Sequence, residues 1–173
     1  MSREVHVRFR EGVGVRLPRA TRLAVLCPTR QEAIEAKDIL AAWLGTRGLR
    51  WSEAKTHIRH LTEGFDFLGF NIRHYPTPHS SRSGYKLLIK PSQASIQQIR
   101  RKFKALWRQH VGSPTVALIN ALNPLIRGWS QYFCIGVASE VFTDLDNFMY
   151  ERAQRYMKRR HPTKSGWWRT EKY

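Results

Sequence analysis

Acidic side chains are scarce in this chain: 13 Asp and Glu stand against 30 Lys and Arg in 173 residues, a net charge of +17. A compact fold with so much uncompensated positive charge repels itself and is best tolerated beside a polyanion. Nucleic acid is the first partner this implies, an anionic membrane surface the second and plain solubility the third. Cysteine is rarer still. Cys27 and Cys134 lie far apart, each in an apolar run, so they form no metal knuckle and are expected as buried free thiols. Nothing in this usage points to an oxidising compartment. No apolar stretch approaches the roughly eighteen residues of a membrane span, and Met1 to Glu4 open without an apolar signal core. A cytoplasmic protein without a membrane partner is the expectation. Repeats and low-complexity tracts are lacking too.

What is present is enough apolar material to fold. Hydrophobic residues make up 42% of the chain, which argues against wholesale disorder, and six tryptophans stand among them. The length allows one domain with a sizeable core, or a small domain with an appendage. Residues 1–22 read as a basic arm, with weak strand alternation from Val5 to Phe9. Leu23 to Cys27 is a short buried-type strand, ended by Pro28 and Thr29. Thr29 with Glu32 has the spacing of a capping box. The helix it opens carries Ala33, Ile34, Ala36, Lys37, Leu40, Ala41 and Leu44 on its apolar face, and Gly45 and Gly48 end it. Trp51 to Ile58 is expected to be extended. Gly64 marks a turn, Phe65 to Ile72 a strand of period two, and the loop Tyr75 to Gly84 leads to a partner strand, Tyr85 to Lys90.

After Pro91 and Ser92 the pattern is helical. One helix is expected over Gln93 to Gln109, with Ile96, Ile99, Phe103, Leu106 and Trp107 on one side. A second starts at Ser113-Pro114, a cap followed by proline, and breaks at Asn123-Pro124. A third stretch runs to Tyr132. The last spans Ala138 to Arg159, with Val141, Phe142, Leu145, Phe148, Met149 and Tyr156 as its core stripe. The fold class expected is α+β: a small β-α-β-β piece over residues 23–91, then a three-helix-type bundle over 92–173.

Four short motifs follow one another in this frame. They are Gly48-Leu49 with Lys55-Thr56, Phe65-Asp66-Phe67-Leu68-Gly69-Phe70, the stretch Asn123-Pro124-Leu125-Ile126-Arg127-Gly128-Trp129 with Tyr132-Phe133, and Arg159-Arg160-His161-Pro162 with Lys164-Ser165. In order and spacing they resemble the C-terminal part of group II intron reverse transcriptase/maturases, the end of the palm followed by the thumb, or maturase, domain. The resemblance covers about Leu23 to Tyr173. It implies a palm remnant with a primer-grip-like hairpin, then a thumb that grips structured intron RNA and promotes its splicing-competent fold.

The same resemblance marks a departure. The family's reverse transcriptases hold catalytic magnesium with an aspartate pair, Y-A-D-D, directly before the strand that Leu23 to Cys27 resembles, and such metals stabilise the attacking and leaving oxygens of nucleotidyl transfer. Here those positions read Arg19-Ala20-Thr21-Arg22. No polymerase activity, no catalytic residue and no cofactor are therefore expected, nor are the family's zinc-binding and endonuclease modules beyond Tyr173. His57 with His60, and His74 with His79, lack companions for a metal site and read as solvated histidines.

RNA binding is the activity these departures leave. The candidate contacts are Lys55, Arg127, Trp129, Arg152, Arg155, Lys158, Arg159, Arg160, His161, Lys164, Trp167, Trp168 and Arg169. Arginine and lysine track phosphates, while exposed aromatics stack on unpaired bases. Each has a plainer reading beside it. Trp129, Tyr132 and Phe133 at helical spacing suit a core, the cations from Arg152 to Lys164 suit a solvated helix end, and Trp167 and Trp168 suit packing onto the bundle. The function expected is a maturase-like protein that stabilises folded group II intron RNA and assists splicing. The rivals are the thumb of a split reverse transcriptase, with a complementary fingers-palm chain or a DNA target as partner, and a non-functional intron remnant.

Overall fold

The computed structural model of the protein describes residues 3–8, 22–50, 52–77 and 84–172. The chain divides into two compact units, Met1–Ile89 and Lys90–Tyr173. In the first, β1 (Arg3–Arg8) is the middle strand of a three-stranded antiparallel sheet, between β2 (Arg22–Cys27) and β3 (His57–His60). Val5 stands opposite Val25 on one side and Ile58 on the other. The reading of residues 1–22 as an arm fails at Arg3–Arg8. A middle strand has its backbone groups satisfied from both flanks, so a weak side-chain pattern suffices to hold it. Residues 9–21, including the positions aligned with Y-A-D-D other than Arg22, lie outside the described residues.

Between β2 and β3 runs α1 (Arg30–Gly45). Thr29 Oγ1 accepts from the Glu32 N–H at 3.2 Å and donates to Glu32 Oε1 at 2.9 Å, a variant of the expected capping arrangement. Ala33 is fully buried against Cys27, and Leu23, Val25, Ala36, Leu40 and Ile58 close around them. Burial pushes the Cys27 thiol up, and the Glu32 carboxylate adds to the shift, so this cysteine is a small core residue rather than a nucleophile. Trp51 to Ile58 is not extended throughout. A 3-10 turn at Glu53–Lys55 interrupts it, closed by the Thr56 hydroxyl donating to the Ser52 carbonyl at 3.0 Å. Trp51 itself lies outside the described residues.

A second three-stranded sheet holds β4 (Phe65–Phe67), β5 (Phe70–Pro76) and β6 (Tyr85–Pro91) in that order. The run from Phe65 to Ile72 is thus a tight hairpin and not one strand. Phe67 pairs with Phe70, and the two residues between them, Leu68 and Gly69, have φ of 48° and 85°. Left-handed conformation at both central positions matches the right-handed twist of the flanking strands, which is why such turns favour Asn-Gly. Leucine in that region is strained by its Cβ. Leu68→Asn should therefore stabilise the protein by about 1 kcal/mol, read as a raised urea midpoint at unchanged slope. The Asn71 amide donates to Asp66 Oδ1 at 2.7 Å across the hairpin. Residues 78–83, with His79, lie outside the described residues.

The second unit contains α2 (Gln93–Gln109), α3 (Thr115–Phe133), α4 (Ser139–Arg160) and α5 (Gly166–Lys172). Its core joins Ile99 and Phe103 of α2, Leu118 and Leu122 of α3, and Leu145, Tyr156 and Met157 of α4. Three sequence expectations change here, and one element is new. The helix does not break at Asn123-Pro124: α3 runs straight through Pro124. Leu118, Leu122, Leu125, Trp129 and Phe133 make one continuous inward stripe, while Asn120 and Pro124 are exposed. The carbonyl that the proline leaves unpaired is therefore on a face that water reaches, which keeps the interruption tolerable. Ser113 is not the cap; Pro114 holds that position with no side-chain bond. Cys134 is exposed at the helix end, its Sγ donating to the Gln131 carbonyl at 3.1 Å, so it is not a buried thiol. The stretch after Arg160 turns into the short helix α5, which no apolar period announces. No helix among the described residues is long and apolar enough to cross a membrane.

Candidate nucleic-acid interface

Charge is sorted along α4. Glu140, Asp144, Asp146 and Glu151 occupy its first part, and from Arg152 to Thr170 no acidic residue occurs. Glu140 pairs with Lys90 at 3.3 Å, Asp144 approaches Arg100 at 3.9 Å, and Glu151 pairs with Arg155 at 3.2 Å. Acids early and bases late suit the helix macrodipole, which accounts for part of the arrangement. It does not require four arginines and two lysines between positions 152 and 164.

Three of the sequence candidates meet at one place. Arg152, Arg155 and Arg159 stand on one face of α4 and, with Tyr156, line a hollow of about 130 Å³ whose other wall is Trp107, Arg108 and Val111. The Trp107 and Tyr156 rings touch edge to face at 5.5 Å. The Arg152 guanidinium also lies 5.0 Å from the Phe148 ring. The indole N–H of Trp107 is buried and has no acceptor among the described residues. Trp107, Arg108 and Val111 were not among the sequence candidates. They sit about one α2 end away from α4 in space but some forty residues away in sequence, and Trp107 carries a helical-period signal that marks it simply as core.

Arg160 belongs elsewhere. Its Nη1 donates to the Ser113 carbonyl at 2.7 Å and to the Tyr156 hydroxyl at 2.6 Å, and that hydroxyl in turn donates to the Ser113 carbonyl at 3.3 Å. This guanidinium ties the end of α4 to the turn before α3. Lys158 is exposed on α4. Beyond it His161 meets Trp168 edge-on at 5.1 Å, and the Lys164 and Lys172 ammonium groups lie 5.3 and 5.7 Å from the Trp168 ring. Both packing and cation–π contact thus engage Trp168. Trp167 differs: it is 74% exposed on α5. Arg169 is half-buried, its Nε without a hydrogen-bond partner.

The α3 candidates divide as well. Trp129 packs against Phe133 at 4.4 Å and Phe142 at 5.8 Å, so its ring is largely core. Arg127 is exposed. Gly128 has open space where a Cβ would stand, with nothing within 4 Å. Together with Lys102, Pro124, Leu125 and Tyr132 it borders a groove of about 310 Å³ between α2 and α3. Lys55 is exposed in the other unit, on the 3-10 turn. His57 and His60 alternate on β3, and no group of three metal-ligating side chains occurs among the described residues.

No curated protein matches the chain. Residues 96–173 match the family described as group II intron, maturase-specific domain. The match begins within α2 and takes in every element of the cationic surface, the hollow and the tail around Trp168. Most of the second unit of this chain, residues 96–173, is thus similar to a group II intron maturase-specific domain.

Proposed function

We propose that the protein binds folded group II intron RNA through its C-terminal unit and assists splicing by stabilising the RNA, which itself supplies the chemistry. The observation that carries this reading is a coincidence of two features. The residues that match the maturase-specific domain include the dense run of cations from Arg152 to Lys164, within which no acidic residue occurs. Phosphate contacts and shape suit A-form RNA, whose deep major groove side chains do not read. Binding to the folded RNA alone shifts its folding equilibrium by mass action. Exposed Trp167 supplies a face for an unpaired base. A role without polymerase activity rests on Arg19-Ala20-Thr21-Arg22, where the related reverse transcriptases carry two aspartates.

The test is binding to a folded group II intron RNA against an unstructured RNA of equal length, over a salt series. Preference for the folded intron that survives high salt supports the proposal. Equal binding that collapses with salt overturns it, leaving a basic protein that adheres to polyanions. One observation favours a second reading, the thumb of a split reverse transcriptase: among the described residues β2 is an edge strand of its sheet and Leu26 on it is 62% exposed, a surface to which a further chain can add. Co-purification with a chain carrying Y-A-D-D distinguishes it.

Arg159 and Arg160 have different work in this scheme. Arg159→Ala should weaken RNA binding and lower the magnitude of the log-log salt slope by about 1, as loss of one phosphate contact does. Arg160→Ala should instead lower the thermal midpoint, because the Ser113 carbonyl and Tyr156 hydroxyl lose their donor. Filter binding and melting of the two single variants separate the roles. The same loss of affinity from both, with unchanged melting, would refute the division.

A further inference from the structure

We propose that the hollow between the end of α2 and α4 is a receptor for one unpaired nucleotide of the bound RNA. This rests on the RNA-binding reading and adds to it a defined subsite. The occupant follows from the lining of the hollow, which at about 130 Å³ has room for the base of a nucleotide and not for the whole of it. Its lining is of two kinds. Trp107, Val111 and Tyr156 supply apolar and aromatic surface, and Arg108, Arg152, Arg155 and Arg159 supply four guanidinium groups. A bare phosphate has no use for the first set, and an apolar side chain has none for the second. A nucleotide uses both: its base lies on rings and guanidinium planes, and its phosphate takes forked hydrogen bonds from arginine.

The Trp107 indole, whose buried N–H has no hydrogen-bond partner among the described residues, stands at this hollow and reports on what enters it. Of the arginines in the lining, Arg155 is paired with Glu151 and Arg152 lies against the Phe148 ring. Neither interaction uses all the donors of a guanidinium, so both arginines retain N–H groups for a phosphate. An extruded nucleotide also gives a basic protein a way to prefer folded RNA, since bulges and loops present such bases at fixed positions whereas regular duplex does not.

The experiment follows the indole Nε1–H resonance of Trp107 in the full-length, ¹⁵N-labelled chain. The resonance is assigned with Trp107→Phe or, if that variant does not fold, by through-bond spectra of the native chain. AMP, adenosine, ribose 5-phosphate and inorganic phosphate are titrated in turn. The proposal expects AMP to shift this resonance and saturate at a concentration about tenfold or more below that needed with inorganic phosphate, both parts of the nucleotide contributing. Arg155→Gln with Arg159→Gln, two exposed positions, should raise the AMP midpoint about tenfold while the far-ultraviolet spectrum stays unchanged. Equal midpoints for AMP and phosphate overturn the proposal in favour of a simple anion site, and a resonance that no probe moves overturns it outright. Binding of the folded intron RNA, measured in parallel, keeps the two readings apart. RNA binding with a silent Trp107 leaves the maturase role standing without this subsite, and a responsive Trp107 without intron binding does the reverse.

Discussion

Leu118→Ala should cost the C-terminal unit about 3 to 5 kcal/mol, a large part of the stability a domain of its size possesses. Leu118 is 2% exposed and lies at the centre of the core formed with Ile99, Phe103, Leu122, Leu145, Tyr156 and Met157. Three helices meet around it, so the space that truncation leaves can collapse only by moving elements that other contacts fix, and the cavity term adds to the lost transfer energy. Ile119 is the control. It is the next residue of the same helix, has the same number of carbons and is 46% exposed. Ile119→Ala should cost less than about 1 kcal/mol. Urea unfolding followed by tryptophan fluorescence measures both, since Trp107 and Trp129 pack against this core. Similar losses from the two variants would mean that α3 presents a different face to its neighbours.

That contrast also marks what the sequence made legible. Ile99, Phe103, Leu145 and Tyr156 were readable as core because apolar residues recurred at helical spacing on one side of each segment. Thr29 was readable as a cap because its partner Glu32 is local. The misreadings have one cause, the weight given to local signals where distant neighbours decide. Arg3–Arg8 has little apolar pattern of its own and becomes a strand because β2 and β3 flank it. Leu68-Gly69 turns a hairpin although leucine is poorly suited to a left-handed position. The hollow was half legible: Arg152, Arg155 and Arg159 stood out as charge, but nothing in their neighbourhood announced Trp107 or Arg108 on another helix. Adjacency in the sequence groups Arg160 with Arg159, yet successive helical residues point about 100° apart and meet different partners.

Pro124→Ala combined with Gly128→Ala should stabilise the C-terminal unit, by up to about 3 kcal/mol from the first and about 1 kcal/mol from the second. Both residues lie inside a helix that is continuous from Thr115 to Phe133. Alanine at 124 restores the N–H that the proline lacks, giving the Asn120 carbonyl its helical partner and removing the ring from the preceding turn. Alanine at 128 enters open space, since a Cβ there meets nothing within 4 Å, and it reduces the backbone freedom of the unfolded chain. For a unit of this size each kcal/mol corresponds to about 4 to 8 °C in melting temperature, so the gain is readily measured. The continuous helix itself does not require a proline at 124 or a glycine at 128. Both border the groove between α2 and α3, beside exposed Arg127 and Lys102, where the bare backbone lets a partner approach closely. The double variant is therefore expected to melt higher and to bind the folded intron RNA less tightly. Raised melting with undiminished RNA affinity would separate this groove from the binding surface and leave contact to α4 and the tail.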